Sequence, residues 1–184
     1  MSAPAQSSAL PQTGWAIWLT GLPASGKTTI ARHLQQRLSA RRISAVVLDS
    51  DALRPVLAPT AGYDEAGRDD FYARLVGLAE LLVVQGVPVI IAATANRRAH
   101  RDAARRRLPR FAEVWVKCSL EVCRRRDPKG LYARALAGEI ENLPGVQVAY
   151  EEPLTPDLIL DSDHQTPEEA ADALLASLPF FQQT

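Results

Sequence analysis

Gly21, Leu22, Pro23, Ala24, Ser25, Gly26, Lys27 and Thr28 fill every fixed place of a G-x-x-x-x-G-K-[ST] phosphate loop. Glycine permits the tight turn in which successive backbone N–H groups face phosphate oxygens. A helix beginning at the end of the loop, through Thr28 and Thr29, presents its partly positive N-terminus to the same anion. Lys27 is one of three lysines in a chain that otherwise uses arginine. Its ammonium suits the terminal phosphates of ATP, and the Thr28 hydroxyl suits a nucleotide-bound Mg²⁺.

A second group of reactive side chains is Asp49, Ser50, Asp51 and Arg54, just after the apolar residues 44–48. Ligands of open parallel sheets bind at the carboxyl ends of strands. One of the two carboxylates could orient Mg²⁺ or its waters, and the other could take a proton from an acceptor hydroxyl. Asp and Ser also serve turns and helix caps, but the nearby phosphate loop weighs toward function. A third group is the arginine-rich stretch of residues 97–110. Arg98 and Arg101, nearest the preceding strand, are expected to face the cleft, whereas Arg105, Arg106 and Arg107 suit a solvated helix face. His100 is read as a surface residue.

The elements that must position these groups alternate between strand and helix. Apolar runs at residues 15–19, 44–49, 87–93, 112–118 and 157–161 predict five strands, the second and third of them buried. Ile30, Leu34 and Leu38 follow the loop at helical spacing. Residues 55–62 read as a loop, and a long helix follows from 65 to 85 with Phe71, Leu75, Leu78 and Leu82 as its buried stripe. A short helix at 120–126 leads to a turn and a second helical patch ending near Glu139. Thr166, Pro167 and Glu169 open the last helix as N-cap, first-turn proline and capping-box acid. The pattern predicts an α/β protein, a three-layer α/β/α phosphate-loop nucleoside triphosphate hydrolase fold with a five-stranded parallel sheet. Its predicted parts are a loose arm at residues 1–14 and a phosphate-loop domain at 15–184, with a lid at about 127–147.

Composition narrows the function classes. The formal net charge is zero, with 47% hydrophobic and 23% charged residues, which argues against nucleic acid or a membrane surface as partner. Two cysteines, Cys118 and Cys123, make neither a disulfide framework nor a metal site and fit a cytoplasmic location. No run reaches the length of a membrane span.

Beyond the phosphate loop, several stretches resemble the adenylyl-sulfate kinase family. They are Leu120-Glu121-Val122-Cys123 running into Arg126-Asp127-Pro128-Lys129-Gly130-Leu131-Tyr132, then Ala137-Gly138-Glu139-Ile140, Asn142, Tyr150-Glu151 and Pro153. Leu48-Asp49-Ser50-Asp51 with Arg54 is similar to the family's acceptor motif, and Gly62-Tyr63 and Arg68 to its acceptor-binding stretch. The resemblance implies transfer of phosphate from ATP to the 3′-hydroxyl of adenosine 5′-phosphosulfate, a small-molecule partner. It implies Asp51 as the acceptor-side base, with Asp49 beside it near the metal. Arg54 and Arg68 would hold the phosphosulfate, Tyr63 would lie against the adenine, and Arg126 and Lys129 would serve the lid and its phosphate contacts. The oligomeric state stays open, a homodimer being one option.

The departures from the family fall on the acceptor side. Phe71 stands where an acceptor-site asparagine is usual, so it is read either as an acceptor contact or as plain core on the helix's apolar stripe. Thr94-Ala95-Asn96 replaces Ile-Ser-Pro, and Leu143 replaces an aromatic residue. Losing one stacked face from an adenine clamp costs about 1–3 kcal/mol. A relative that phosphorylates another nucleotide-like or phosphorylated hydroxyl is therefore the alternative. A nucleotide switch that hydrolyses ATP without transfer would have no use for the acidic pair and the lid. A polynucleotide 5′-kinase would need a long basic groove lined with aromatics.

Overall fold

The computed structural model describes residues 14–181. Five parallel strands, β1 (Ala16–Thr20), β2 (Val46–Asp49), β3 (Val89–Ala92), β4 (Phe111–Lys117) and β5 (Leu158–Asp161), form one sheet in the order β2-β3-β1-β4-β5. Register sets Ile17 beside Ile90 and Leu19 beside Ala92 and Val114, so all five strands end along one edge. Parallel strands require crossovers, and the helices that supply them cover both faces.

On one face, α1 (Lys27–Ala40) and α7 (Pro167–Ser177) close over Ile17, Leu19, Val114 and Leu160 through Ile30, Leu34, Leu38 and Leu174. On the other, α3 (Glu65–Val84) and α4 (Arg98–Arg107) cover Trp18, Val89 and Ile91. The short helices are α2 (Ser50–Leu57), α5 (Leu120–Arg126) and α6 (Leu131–Leu136). Thr166 caps α7 with the reciprocal Glu169 contact that the sequence predicts. No helix among the described residues is long and apolar enough to cross a membrane.

Several expectations are corrected. β2 is an edge strand rather than a buried one, with Val46 37% exposed. Residues 55–57 belong to α2, which runs through Pro55. That proline is tolerated because α2 has no buried residue, leaving the carbonyl it cannot pair open to water. The buried stripe of α3 is rotated toward Tyr72, Val76, Ala79 and Val83, beside Phe71 and Leu75, whereas Leu78 and Leu82 are only half-buried. Gly14 is buried and donates its amide to the Val83 carbonyl at 2.9 Å, so it belongs to the folded body. The rest of the expected arm, residues 1–13, lies outside the described residues.

The arginine stretch departs most from expectation. Arg101 does not face the cleft: it is 1% exposed and spans between loops. It donates to Glu113 Oε1 at 2.6 Å, to the Ala95 carbonyl, and to the Glu151 carbonyl at 2.6 Å. Arg98 turns to Glu151 and the Glu152 carbonyl. His100 is buried, tilted on Tyr72 and bonded through Nε2 to Asp69 at 2.7 Å. A glutamate inside apolar β4 needs a buried cation, and Arg101 meets that need while pinning the loop after β3.

Arg101→Met leaves Glu113 with only Arg105, 3.6 Å away. The expected result is a loss of about 3 kcal/mol in unfolding free energy, most of it restored when Glu113→Leu is added. Urea denaturation of the three proteins checks this, and full stability in Arg101→Met would refute the hub role.

Candidate active site

The phosphate loop joins β1 to α1. A Cβ on Gly21 would lie 2.4 Å from the Val116 carbonyl oxygen, and Gly26 has φ +100°. Both positions therefore demand glycine. No side chain caps α1, so its first-turn amides are free for an anion. Lys27 folds over the loop and donates to the Gly21 carbonyl at 3.0 Å and the Leu22 carbonyl at 2.7 Å. Burial pulls its pKa down to about 8, although Asp51 and Asp49 oppose the shift.

Strand ends bring the remaining groups to the loop. The Thr28 hydroxyl donates to Asp49 Oδ2 at 2.6 Å, and Asp49 Oδ1 accepts the Asp51 amide at 2.9 Å as the N-cap of α2. Asp49 thus acts both as the cap and as an oxygen donor beside Thr28. Asp51, on the first turn of α2, pairs with Lys129, and that bond raises the Lys129 pKa.

Residues 127–147 lie against the loop. The Asp127 carboxylate accepts the amides of Leu131, Tyr132 and Ala133 at 2.8, 3.0 and 3.1 Å, which starts α6. The Tyr132 hydroxyl donates to the Pro23 carbonyl at 3.0 Å. Leu143 packs with Cys123, Tyr132 and Ala135 in a small cluster that Leu22 and Ala24 adjoin. Arg126 donates to the Ser162 hydroxyl at 2.9 Å and the Ser162 carbonyl at 2.5 Å, and the Ser162 hydroxyl donates to the Ser25 carbonyl at 2.8 Å.

All of this surrounds one cleft of about 1170 Å³. Lys27, Thr28, Asp49, Asp51, Arg126 and Lys129 line it, with Pro23, Ala24, Gly26 and Thr29 from the loop. On the acceptor side, Arg54, Tyr63, Arg68 and Leu143 line it too. Arg68, only 6% exposed, donates to the Tyr63 carbonyl at 2.8 Å, Asn96 Oδ1 at 3.4 Å and the Asn142 carbonyl at 2.6 Å. Neither Arg54 nor Arg68 has a carboxylate partner among the described residues, so two neighbouring cations meet at a surface suited to an anion.

Phe71 is the correction on this side. It is fully buried and does not line the cleft, so it is not a contact residue for the acceptor. Its position on the inner face of α3 explains why. Sequence reasoning missed Ser162, Gln165 and Arg32, which also border the cleft. Ser162 and Gln165 follow the end of β5, and the strand-end rule that located Asp49 applies equally to them.

The family model described as adenylylsulphate kinase matches residues 13–161. The adenylyl-sulfate kinase of Paraburkholderia xenovorans is 41% identical over 166 residues, covering 90% of this chain and 93% of that protein. A probable bifunctional SAT/APS kinase 2 of Sorangium cellulosum is 38% identical over 90% of this chain, which spans 29% of that longer protein. Among solved structures, the Mycobacterium tuberculosis APS kinase CysC in complex with AMPPNP and APS superimposes with a TM-score of 0.87 at 38% identity. That match covers 91% of this chain and 99% of the other. With its phosphate loop, acidic pair and 127–147 segment gathered on one cleft, the chain belongs to the adenylylsulphate kinase family.

Proposed function

We propose that the chain transfers the γ-phosphoryl group of ATP to the 3′-hydroxyl of adenosine 5′-phosphosulfate. The observation that carries this reading is the single cleft in which Lys27 and the uncapped start of α1 stand on one side and Asp51, Arg54 and Arg68 on the other. The fold match to an APS kinase holding AMPPNP and APS supports it.

In this reading the amides of residues 22–28 and Lys27 hold the triphosphate and stabilise charge on the transferred group. Asp51 orients the 3′-hydroxyl and takes its proton as the new O–P bond forms and the bond to the ADP oxygen breaks. Arg54 and Arg68 bind the phosphosulfate, and Tyr63 lies against the base. Arg126 and Lys129 serve the phosphates from the 127–147 segment, which acts as a lid that excludes water.

Thr28 and Asp49 fit Mg²⁺. They are two hard oxygen donors 2.6 Å apart. This is the pattern of an ion that uses one or two protein oxygens and takes the rest from phosphate and water. When bound, Mg²⁺ neutralises charge on the phosphate oxygens. A cytoplasmic location completes the proposal; the two free thiols support that compartment.

The test is a transfer assay with labelled ATP, adenosine 5′-phosphosulfate and a panel of other hydroxylated nucleotides and sugars. Label in the 3′-phosphorylated product is expected, and label found only in free phosphate would overturn the reading. Leu143 favours the alternative acceptor within the panel, because it packs into the 127–147 cluster and offers an aliphatic wall.

Lys27 also makes ATP binding pH-dependent. Its pKa of about 8 in the free enzyme rises when a triphosphate pairs with it, so binding takes up a proton above that pH. Affinity is full below pH 8 and falls as the pH rises through it. Calorimetry in buffers of different ionisation enthalpy is expected to detect this uptake. Lys27→Arg, charged throughout, is expected to abolish it.

A further inference from the structure

We infer that Phe71 is a positioning residue for the acceptor's anionic group and acts through Arg54. The inference rests on the reading of Arg54 as an acceptor contact.

Arg54 lines the cleft on a long, flexible side chain with little to fix it. Among the described residues its guanidinium makes one hydrogen bond, a long one of 3.3 Å to the Gly62 carbonyl, and pairs with no carboxylate. What lies against it is aromatic. Its Cζ sits 4.1 Å from the centre of the Phe71 ring and 4.5 Å from that of Tyr63, each well inside the range of a cation–π contact.

The two rings differ in rigidity. Tyr63 precedes α3 and is 55% exposed. Phe71 is closed to solvent within α3 and meets Tyr72 edge-on at 5.2 Å. The Tyr72 hydroxyl in turn accepts the Ala95 amide at 2.9 Å. Phe71 is therefore the fixed surface and Tyr63 the movable one. A fixed aromatic face lets a cation keep its orientation without a carboxylate, which would neutralise the charge the anion needs. The ring thus gives the guanidinium a direction while leaving its N–H groups available to an incoming phosphate or sulfate.

Phe71→Leu keeps an apolar group of similar depth and removes the π face. The expected result is a rise of about 3- to 30-fold in KM for adenosine 5′-phosphosulfate, with kcat and KM for ATP unchanged. In an Arg54→Gln background the same substitution is expected to have no further effect on KM. An unchanged KM in Phe71→Leu, or an effect that adds in full to that of Arg54→Gln, overturns the inference.

A ligand-free measurement keeps it testable if the acceptor reading fails or the variant does not fold. In the wild-type protein, the Arg54 Nε–H proton resonance is expected upfield, shielded by the ring. In Phe71→Leu, or Phe71→Met if the first is unstable, it is expected to move downfield. A wild-type resonance at the ordinary arginine position overturns the inference whatever the acceptor proves to be. Wild-type enzyme that leaves adenosine 5′-phosphosulfate unphosphorylated but shows the shielded resonance overturns the acceptor reading alone.

Discussion

Lys27→Ala is expected to lower the rate of phosphoryl transfer by at least about 10³-fold while leaving the fold intact. Removing one neutral donor aimed at a transition-state oxyanion costs about 10²–10³ in rate, and Lys27 contributes a full charge. The ammonium already stands over the loop, bonded to the carbonyls of Gly21 and Leu22. It carries a desolvation penalty there, seen in its lowered pKa, which the unpaired protein does not recover. Removing it should therefore leave the unfolding midpoint unchanged or raise it slightly. Single-turnover transfer and thermal unfolding, measured together, separate the two effects. Transfer near the wild-type rate would remove Lys27 from the mechanism.

Asp51→Asn is the second large effect, expected to slow transfer by about 10³-fold, within the span for a lost general base. ATP affinity should hardly change, because Asn keeps the shape of the side chain and Asp49, not Asp51, stands beside Thr28. The same substitution weakens the pairing with Lys129, so Lys129→Met is the control. If Asp51→Asn costs nothing further in a Lys129→Met background, the carboxylate matters through its ion pair and not as a base. Full turnover in Asp51→Asn would end the base assignment.

The phosphate loop was legible in the sequence because main-chain geometry dictates each residue type there, Gly21 and Gly26 above all. The strands were legible because buried parallel strands are nearly continuous apolar runs, as in the fully buried β1 and β3. The start of α7 could be read from local chemistry, since Thr166 caps its own helix. What escaped depends on partners far along the chain. Arg101 looked like a cleft residue because Glu113 and Glu151, its acceptors, lie 12 and 50 residues away. Asp127 is a local exception: its carboxylate accepts the first-turn amides of α6, which lie only four to six residues on. Phe71 could not be assigned to core or cleft, and it lies in the core with one face against Arg54.

The contact between Lys129 and Asp51 has a mechanical consequence. It bridges residues 127–147 and α2 across the mouth of the cleft, with side chains 55% and 62% exposed. A pair so open to water contributes at most about 1 kcal/mol, comparable to thermal energy. It works as a loose catch rather than a bolt: diffusion alone releases it, dissolved salt loosens it further, and an arriving alcohol need not force the entrance.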